Sequence, residues 1–301
     1  MLLYNLRFGW WNVALSPAAA QAKSKANDTN YATLCAHIET LMKEQSCDFL
    51  ALCEVSSKDV RYLAESLELE GITILDLTEK VGRTRFDMAV IYNNQKIKVR
   101  HSHNLSKIMT GNTVKAAQLV EVENLDDSKV IHAYLCHWAS RLNGDGEARR
   151  IAAADIVYNS ASDLMEGDAD VIVMGDFNDN PFDISLNKHL NANRCHDAVK
   201  KYPKEFFYNP FWRSIVSDYK YSHATTNETY RSGSHRFKQF LGTIWHSYDQ
   251  IVVSGSFLGN NYWHLNENRT QVVTTAEILT HFDDSKHFID HLPIICEITR
   301  V

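Results

Sequence analysis

The sequence predicts a mixed α/β fold in which β-sheets are packed with helices, and three observations support this prediction. Nine apolar or alternating stretches have the length and pattern of β-strands. Three longer segments have helical periodicity and lie between predicted strands. Other predicted strands follow one another without a helix, as in antiparallel meanders. Many strands with few helices indicate a mixed α/β sandwich.

The predicted elements cover most of the chain. In chain order, the predicted strands are residues 2–13, 49–55, 72–77, 88–92, 117–122, 130–137, 171–174, 251–253 and 293–298. The predicted helices are residues 29–44, 57–69 and 146–165, and Ile151, Ala154 and Val157 mark one face of the last. Residues 179–249 form the least regular part. Only five prolines and no Ser/Gly-rich tract interrupt the chain, so we expect one domain over residues 1–301.

Composition restricts the class of protein. The chain has 301 residues, of which 45% are apolar and 23% charged, as in ordinary globular proteins. It lacks a run of about 18 apolar residues and a signal-peptide pattern, so we expect a cytoplasmic protein without a transmembrane segment. The six cysteines occur singly and are expected to be reduced, which argues against a zinc site. The net charge of −6 argues against a protein that coats nucleic acid but not against a nuclease.

Residues 170–181 are the most informative segment of the sequence. An apolar run leads directly into Gly175, Asp176 and Asn178. A carboxylate and an amide at a strand end are placed where α/β proteins bind metals or phosphates. Taken alone, the segment is equally compatible with an ordinary turn.

Five strand ends carry polar groups of the same kind. They hold Asn12, Glu54, His137, Asp176 with Asn178, and Asp290 with His291. Together, carboxylates, amides and imidazoles are what a hydrolase needs to hold a hard cation and to transfer protons at a phosphate. The set therefore predicts a phosphate-ester hydrolase.

These motifs resemble the endonuclease/exonuclease/phosphatase superfamily, whose members have the deoxyribonuclease-I-like fold. The resemblance covers residues 7–298 and rests on Trp11-Asn12, Cys53-Glu54-Val55, Cys136-His137-Trp138, Gly175-Asp176-Phe177-Asn178, residues 248–254 and Asp290-His291-Leu292-Pro293. It implies a four-layered α/β sandwich with two packed mixed β-sheets flanked by helices. Residues 137–150 and 207–212 are also similar to a bacterial branch of the superfamily.

The resemblance implies a cation site. Glu54 and Asp290 correspond to metal ligands, and Mg²⁺ or Mn²⁺ suits a few carboxylates completed by water and substrate oxygens. Asn12 is a further candidate at the metal, and Asn12 and Asn178 would orient the phosphate or the attacking water.

The resemblance also implies catalytic roles. Asp176 would align or deprotonate the attacking water, and His291 corresponds to the essential histidine with Asp249 as its orienting partner. His137 corresponds to a second histidine that protonates the leaving oxygen or binds the phosphate. Asp87 could support His137, but the sequence register there departs from the family, which argues against it.

Several basic and aromatic residues have two interpretations each. Arg141, Arg149 and Arg150 could bind a substrate phosphate or form ion pairs at the helix surface. His101 and His103 are expected to be surface residues. The aromatic and basic residues of 206–240 could stack on bases, pack a long loop onto the sandwich, or contact lipid.

The sequence therefore predicts a Mg²⁺- or Mn²⁺-dependent phosphodiesterase, first of all a nuclease acting on DNA or RNA. A sphingomyelinase-like phospholipid phosphodiesterase or an inositol-phosphate phosphatase is the alternative, and a non-catalytic scaffold of the same fold is a remote one. The expected partner is nucleic acid or another phosphodiester, and no obligate protein partner is evident.

Overall fold

The structure, a computed structural model, describes residues 4–19, 22–109, 111–141, 144–217, 222–224, 230–237, 242–259 and 261–300. The strands are β1 (Tyr4–Asn12), β2 (Phe49–Cys53), β3 (Ile72–Asp76), β4 (Glu79–Val81), β5 (Thr84–Phe86), β6 (Met88–Asn93), β7 (Ile97–Met109), β8 (Asn112–Asn124), β9 (Val130–His137), β10 (Asp170–Asp176), β11 (Ala192–Asn193), β12 (Phe207–Tyr208), β13 (His235–Arg236), β14 (Trp245–His246), β15 (Asp249–Ser254), β16 (Trp263–Val272) and β17 (Ile294–Arg300). The α-helices are α1 (Asp28–Lys43), α2 (Ser57–Ser66), α3 (Gly146–Glu166), α4 (His196–Lys201) and α5 (Ala276–Asp283). Short 3-10 or π turns cover Ser185–His189, Pro210–Ile215 and Gly255–Leu258.

Two large mixed sheets form the centre of the fold. One has the strand order β16-β17-β1-β2-β6-β3, and the other has the order β11-β12-β15-β10-β9-β8-β7. A continuous apolar cluster joins their facing sides and includes Phe8 and Trp10 from one sheet and Leu135 and Ile172 from the other. This shared core holds the sheets face to face, since burial of apolar area is the main stabilising term in folding.

Helices cover the outer faces of both sheets. Leu34 of α1 and Ile278 of α5 pack on the outer side of β1 and β2. Ala154 and Val157 of α3 pack on the outer side of the other sheet. The order helix, sheet, sheet, helix confirms the predicted four-layered α/β sandwich. Among the described residues, no helix is both long and apolar enough to cross a bilayer.

All nine predicted strands are present with small shifts at their ends, and residue 2 lies outside the described residues. Among elements of seven or more residues, the predictions missed β7, β16 and α5. Both missed long strands lie at sheet edges, where most side chains face solvent, so they lack the apolar alternation that identifies a strand. Within the described part of residues 179–249, no element is longer than six residues, as expected.

Strand pairing brings the polar strand ends to one edge of the sandwich. β1 runs parallel to β2, so both end side by side, with Asn12 opposite Cys53. In the second sheet, Asp176 lies opposite His137 of β9 and opposite Asp249 of β15. Residues that are 39 and 73 positions from Asp176 in the sequence therefore become its lateral neighbours.

The backbone approaches closely at Gly175, one residue before this edge. A Cβ atom built there would lie 2.1 Å from the carbonyl oxygen of Cys136 in the neighbouring strand. No side chain fits without a shift of β9 relative to β10. Glycine is therefore required by the strand pairing that positions Asp176.

We expect Gly175→Ala to destabilise the protein by about 3 kcal/mol, because overpacking against backbone cannot relax through a side-chain rotation. Denaturant unfolding followed by circular dichroism measures the effect. Gly259→Ala is the matched control, because φ there is −101° and the nearest atom to a new Cβ would be 4.0 Å away. Equal stabilities of the two variants would contradict the proposed packing constraint.

Candidate active site

A buried carboxylate orients His291 at the centre of the polar edge. Oδ2 of Asp249 accepts a hydrogen bond from Nδ1 of His291 at 2.7 Å. Two further donors fix the same carboxylate, since Ser234 Oγ donates to Oδ2 at 2.7 Å and Trp10 Nε1 donates to Oδ1 at 3.1 Å. With Nδ1 engaged, Nε2 of His291 is the nitrogen that points toward the other polar groups.

Nε2 of His291 faces Asp176. The distance from Nε2 to Oδ2 of Asp176 is 3.8 Å. Nδ2 of Asn12 donates to the same oxygen at 3.0 Å, and the backbone N–H of Asn178 donates to Oδ1 at 2.9 Å. Asp176 is therefore held from two sides while it is 2% exposed.

The protonation states of His291 and Asp176 depend on each other and on the neighbouring Asp249. Burial by itself lowers the pKa of His291, but Asp249 and Asp176 more than reverse this effect and raise it to about 10. Burial raises the pKa of Asp176, an effect that the nearby imidazolium of His291 opposes. At neutral pH His291 therefore carries a positive charge between two acidic side chains.

A second histidine lies on the other side of Asp176 with its own carboxylate. Nδ1 of His137 donates to Oδ2 of Asp87 at 3.1 Å, and Nζ of Lys115 lies 3.0 Å from Oδ1 of Asp87. Burial alone would raise the pKa of Asp87, but Lys115 and His137 lower it far below its usual range. Burial lowers the pKa of His137, and the hydrogen-bonded Asp87 raises it above the usual value. The support of His137 by Asp87, which the sequence register argued against, is present.

Glu54 and Asp290 are the acidic groups with the least internal compensation. Glu54 has φ of +59°, a strained backbone conformation for this residue, and Oε1 lies 3.8 Å from Nε2 of His137. Burial raises the pKa of Glu54, His137 opposes this increase, and the smaller effects of Asp87 and Asp290 add to it. Oδ1 of Asp290 is buried without a hydrogen-bond partner among the described residues. Such oxygens fit a hard divalent cation, which takes carboxylate ligands and supplies the missing charge.

A second ligand set for a cation is geometrically possible. One atom each of Asp176, Asp249 and His291 lie within 4.8 Å of one another. However, Nδ1 of His291 and Oδ2 of Asp249 already bind each other, and Asp249 receives two more hydrogen bonds. The ligand atoms of Asp249 and His291 are therefore already engaged within the protein.

The three predicted phosphate-binding arginines all form ion pairs. Nε of Arg141 donates to the carbonyl oxygen of Asn178 at 2.8 Å, and its Nη2 donates to Asp179 at 2.6 Å and also to Asp183. Arg150 is buried with Nε 2.9 Å from Asp179, and Nη2 of Arg149 lies 2.9 Å from Asp145. These contacts match the ion-pair interpretation and show Arg141 bracing the loop after β10.

For part of the aromatic segment at 206–240, the structure supports the interpretation that its side chains pack onto the sandwich. Phe207, Tyr208 and Phe211 are at most 2% exposed. These three side chains pack a loop onto the sandwich, which is one of the three interpretations, whereas Trp212 is half-buried and Tyr230 is 52% exposed. Tyr219, Lys220, Tyr221 and Lys238 lie outside the described residues. His101 and His103 are exposed on β7, as predicted.

Three residues that bind the carboxylates of Asp87 and Asp249 were not identified from the sequence. Lys115 lies within β8, Ser234 lies in the irregular segment, and Trp10 reads as a core residue. No local sequence signal marks any of them, because each becomes a partner only when the two sheets pack together.

Comparisons with known proteins agree with this geometry. The sequence profile of the family described as the endonuclease/exonuclease/phosphatase family matches residues 15–284. No curated protein sequence matches the chain.

Solved structures share the fold at low sequence identity. The human Nocturnin catalytic domain with bound sulfate is 15% identical, with a TM-score of 0.61 over 99% of this chain and 95% of that chain. A Bacteroides thetaiotaomicron endonuclease/exonuclease/phosphatase family protein is 15% identical, with a TM-score of 0.60 over 100% of both chains. D. rerio TDP2 complexed with single strand DNA product is 12% identical, with a TM-score of 0.55 over 98% of both chains.

We expect Asp249→Asn to lower the pKa of His291 from about 10 toward its ordinary value of 6.5. The substitution removes the negative charge that favours the imidazolium, so the proton is lost at lower pH. NMR titration of the His291 ring in metal-free protein measures the shift. Ser234→Ala, which removes a hydrogen bond to Asp249 but leaves its charge, should shift the pKa much less. An unchanged titration in Asp249→Asn would refute the coupling.

Proposed function

The chain belongs to the endonuclease/exonuclease/phosphatase family, and on this premise we propose that it is a Mg²⁺- or Mn²⁺-dependent phosphodiesterase, first of all a nuclease. The proposal depends on one observation above all. The Asp249–His291 pair faces Asp176 across 3.8 Å, so a rigid acid and base converge on one point. A phosphate placed there would meet the groups needed for hydrolysis.

Asp176 acts on the attacking water in this mechanism. Its carboxylate is held by Asn12 and by the backbone of Asn178, so its oxygens have a fixed direction. Burial raises its pKa, which makes it a stronger base than an exposed aspartate. Asp176 aligns the water for in-line attack on phosphorus and accepts its proton, while the side chain of Asn178 is placed beside the phosphate.

The two histidines have different roles, one at the phosphate oxygen and one at the leaving oxygen. The charged His291 donates from Nε2 to a phosphate oxygen and stabilises the negative charge that develops there. His137 lies on the opposite side of Asp176 and supplies a proton to the leaving oxygen. Its partner Asp87 is itself paired with Lys115, so His137 releases a proton more readily than His291 does.

The acidic pair completes the site with a cation. Glu54 and Asp290 would hold Mg²⁺ or Mn²⁺, and Asn12 contributes through its hold on Asp176. Arg141, which braces the loop carrying Asn178, keeps the phosphate side of the site in place. When bound, the cation supplies charge neutralisation at the phosphate and lowers the pKa of water.

The substrate class follows from the surroundings of the site. Phe207 and Phe211 are buried, so these two side chains give no support to a lipid-binding surface. TDP2 of D. rerio, which shares the fold, has been captured with a single-stranded DNA product. Nucleic acid is therefore the first substrate to assay, with phosphocholine lipids and inositol phosphates beside it. The scaffold alternative loses support because the acids, amides and histidines of the site are all present.

We expect the purified protein to cleave single-stranded DNA or RNA, plasmid DNA or an aryl phosphodiester in the presence of Mg²⁺ or Mn²⁺, and EDTA to abolish cleavage. Asp176→Asn and His291→Gln should each lower kcat by roughly 10²- to 10⁴-fold, the usual contribution of acid/base groups. Gel and chromogenic assays measure the rates, and circular dichroism confirms that both variants fold. Cleavage that survives both substitutions, or that is insensitive to EDTA, would rule out the proposal.

We expect millimolar Mn²⁺ or Mg²⁺ to raise the melting temperature of the protein, because a ligand of the native state stabilises it by mass action. Glu54→Gln and Asp290→Asn should remove most of this increase. Glu70→Gln, which neutralises an exposed carboxylate in the loop between α2 and β3, is the matched control and should keep this increase. A full increase in the Glu54 and Asp290 variants, with loss in Asp249→Asn, would instead place the cation at Asp176, Asp249 and His291.

A further inference from the structure

Two adjoining clefts lead away from the site on the side of Glu54 and His137. The near cleft has a volume of about 290 Å³ and includes Glu54 and His137 in its wall. The far cleft has a volume of about 560 Å³ and lies between the β4–β5 hairpin and the start of α2. Ala18, Arg83 and Thr84 line both, so the two clefts form one continuous depression.

The depression is strongly basic although the chain is acidic. Its cationic side chains are Lys58, Lys80, Arg83, Arg85, Lys115 and Arg149. Only two carboxylates, Glu54 and Glu79, lie among its lining residues. On a chain with a formal charge of −6, such local segregation of charge produces a field that attracts anions.

Some of these cations already have partners inside the protein. Nζ of Lys115 binds Asp87, and Nη2 of Arg85 donates to the carbonyl oxygen of Ser16 at 2.6 Å. Arg149 pairs with Asp145, but its Nε is buried without a hydrogen-bond partner among the described residues. Arg149 therefore lines the near cleft with a guanidinium that has one internal ion pair and one N–H without an acceptor in the described structure.

Arg83 is the least engaged of the cations. It is exposed, and in the part of the chain that the structure describes it forms no hydrogen bond or ion pair. The backbone next to it is restrained, because the preceding Gly82 has φ of +56° and lies close to Thr113 of β8. A Cβ atom on Gly82 would lie 2.3 Å from Oγ1 of Thr113. The protein thus holds an unpaired guanidinium at the junction of the two clefts.

We propose that Arg83, together with Arg149, binds a second phosphate group of the substrate in the near cleft, beside the phosphate that is hydrolysed. The inference rests on the proposed phosphodiesterase function and narrows its substrate to molecules that carry at least two phosphates. A guanidinium matches the geometry of phosphate oxygens, and Arg83 has no internal acceptor that would compete. A substrate with a single phosphate leaves this guanidinium unused.

The lining residues also indicate how the substrate is recognised. The one aromatic residue among them, Trp138, is 2% exposed, so neither cleft presents a described aromatic face on which a base could stack. Recognition therefore depends on charge and not on base identity. The second phosphate could belong to the neighbouring nucleotide of a single strand or to a compact polyphosphorylated molecule such as an inositol polyphosphate.

Binding in EDTA tests the subsite without requiring turnover. Fluorescence anisotropy of a labelled single-stranded oligonucleotide gives the Kd of the strand. Competition by inositol hexakisphosphate in the same assay gives the Kd of the compact polyphosphate. We expect Arg83→Gln to raise the Kd of the preferred ligand roughly 10-fold, the value for one charge-assisted hydrogen bond. For the strand, the slope of log K against log salt should fall by about 1. Arg83→Lys should restore part of the affinity.

Arg269→Gln is the matched control, because Arg269 is also exposed, lies on β16 and lines neither cleft. Its Kd should equal that of the unaltered protein. The inference is overturned if Arg83→Gln and Arg269→Gln bind alike, or if the unaltered protein binds neither ligand. In kinetics, the ratio of kcat/KM for a two-phosphate substrate to that for an aryl phosphodiester should fall roughly 10-fold in Arg83→Gln.

The two proposals can fail separately. Hydrolysis with no dependence on Arg83 would disprove the subsite and leave the phosphodiesterase intact. Arg83-dependent binding of polyphosphates with no hydrolysis of any substrate would disprove the phosphodiesterase and leave an anion-binding cleft.

Discussion

The pairing of β10 with both of its neighbours at Asp176 is the constraint on which the rest of the site depends. One partner places His137 beside Asp176, and the other places Asp249 there. Side chains of a strand alternate between the two faces, so a slip of one residue would turn Asp176 away from both. The close approach of Gly175 to the carbonyl of Cys136 allows this register without a shift. Backbone packing therefore precedes the chemistry and makes it possible.

The two Asp–His pairs have similar geometry but different electrostatics. Asp249 receives hydrogen bonds only from neutral groups besides His291, so its charge acts fully on that histidine. Asp87 shares its charge with Lys115, which opposes the increase in the pKa of His137. His291 thus keeps its proton, whereas His137 exchanges its proton more easily. Environments that separate the proton affinities of paired groups are how one site carries out both electrostatic stabilisation and proton transfer.

The sequence predicted the site residues that lie at the ends of apolar strands. Asp176, Asn178 and His291 each follow or precede an apolar run, so their position at the sheet edge was readable from the pattern. Lys115 gives no such signal, because it becomes a partner of Asp87 only through the packing of β8 near β6. Composition left the role of Phe207 open, because an aromatic residue near basic ones gives the same sequence pattern whether it faces solvent or the core. The edge strands β7 and β16 were not predicted because their side chains are mostly polar.

Glu54, which lies 3.8 Å from His137, and Asp290 are acidic groups that a bound cation would stabilise. Glu54 combines a left-handed backbone conformation with a carboxylate whose ionisation is opposed by burial and by two neighbouring acids. Asp290 keeps one buried oxygen without a donor in the described structure. Selection for stability alone would replace either residue with an amide or an apolar side chain, because unpaired buried carboxylates destabilise the folded state. A divalent cation between them would offset the repulsion and satisfy the oxygens at once. The same positive charge would lie next to the phosphate, so carboxylates that destabilise the fold by themselves would place the cation where it acts on the substrate.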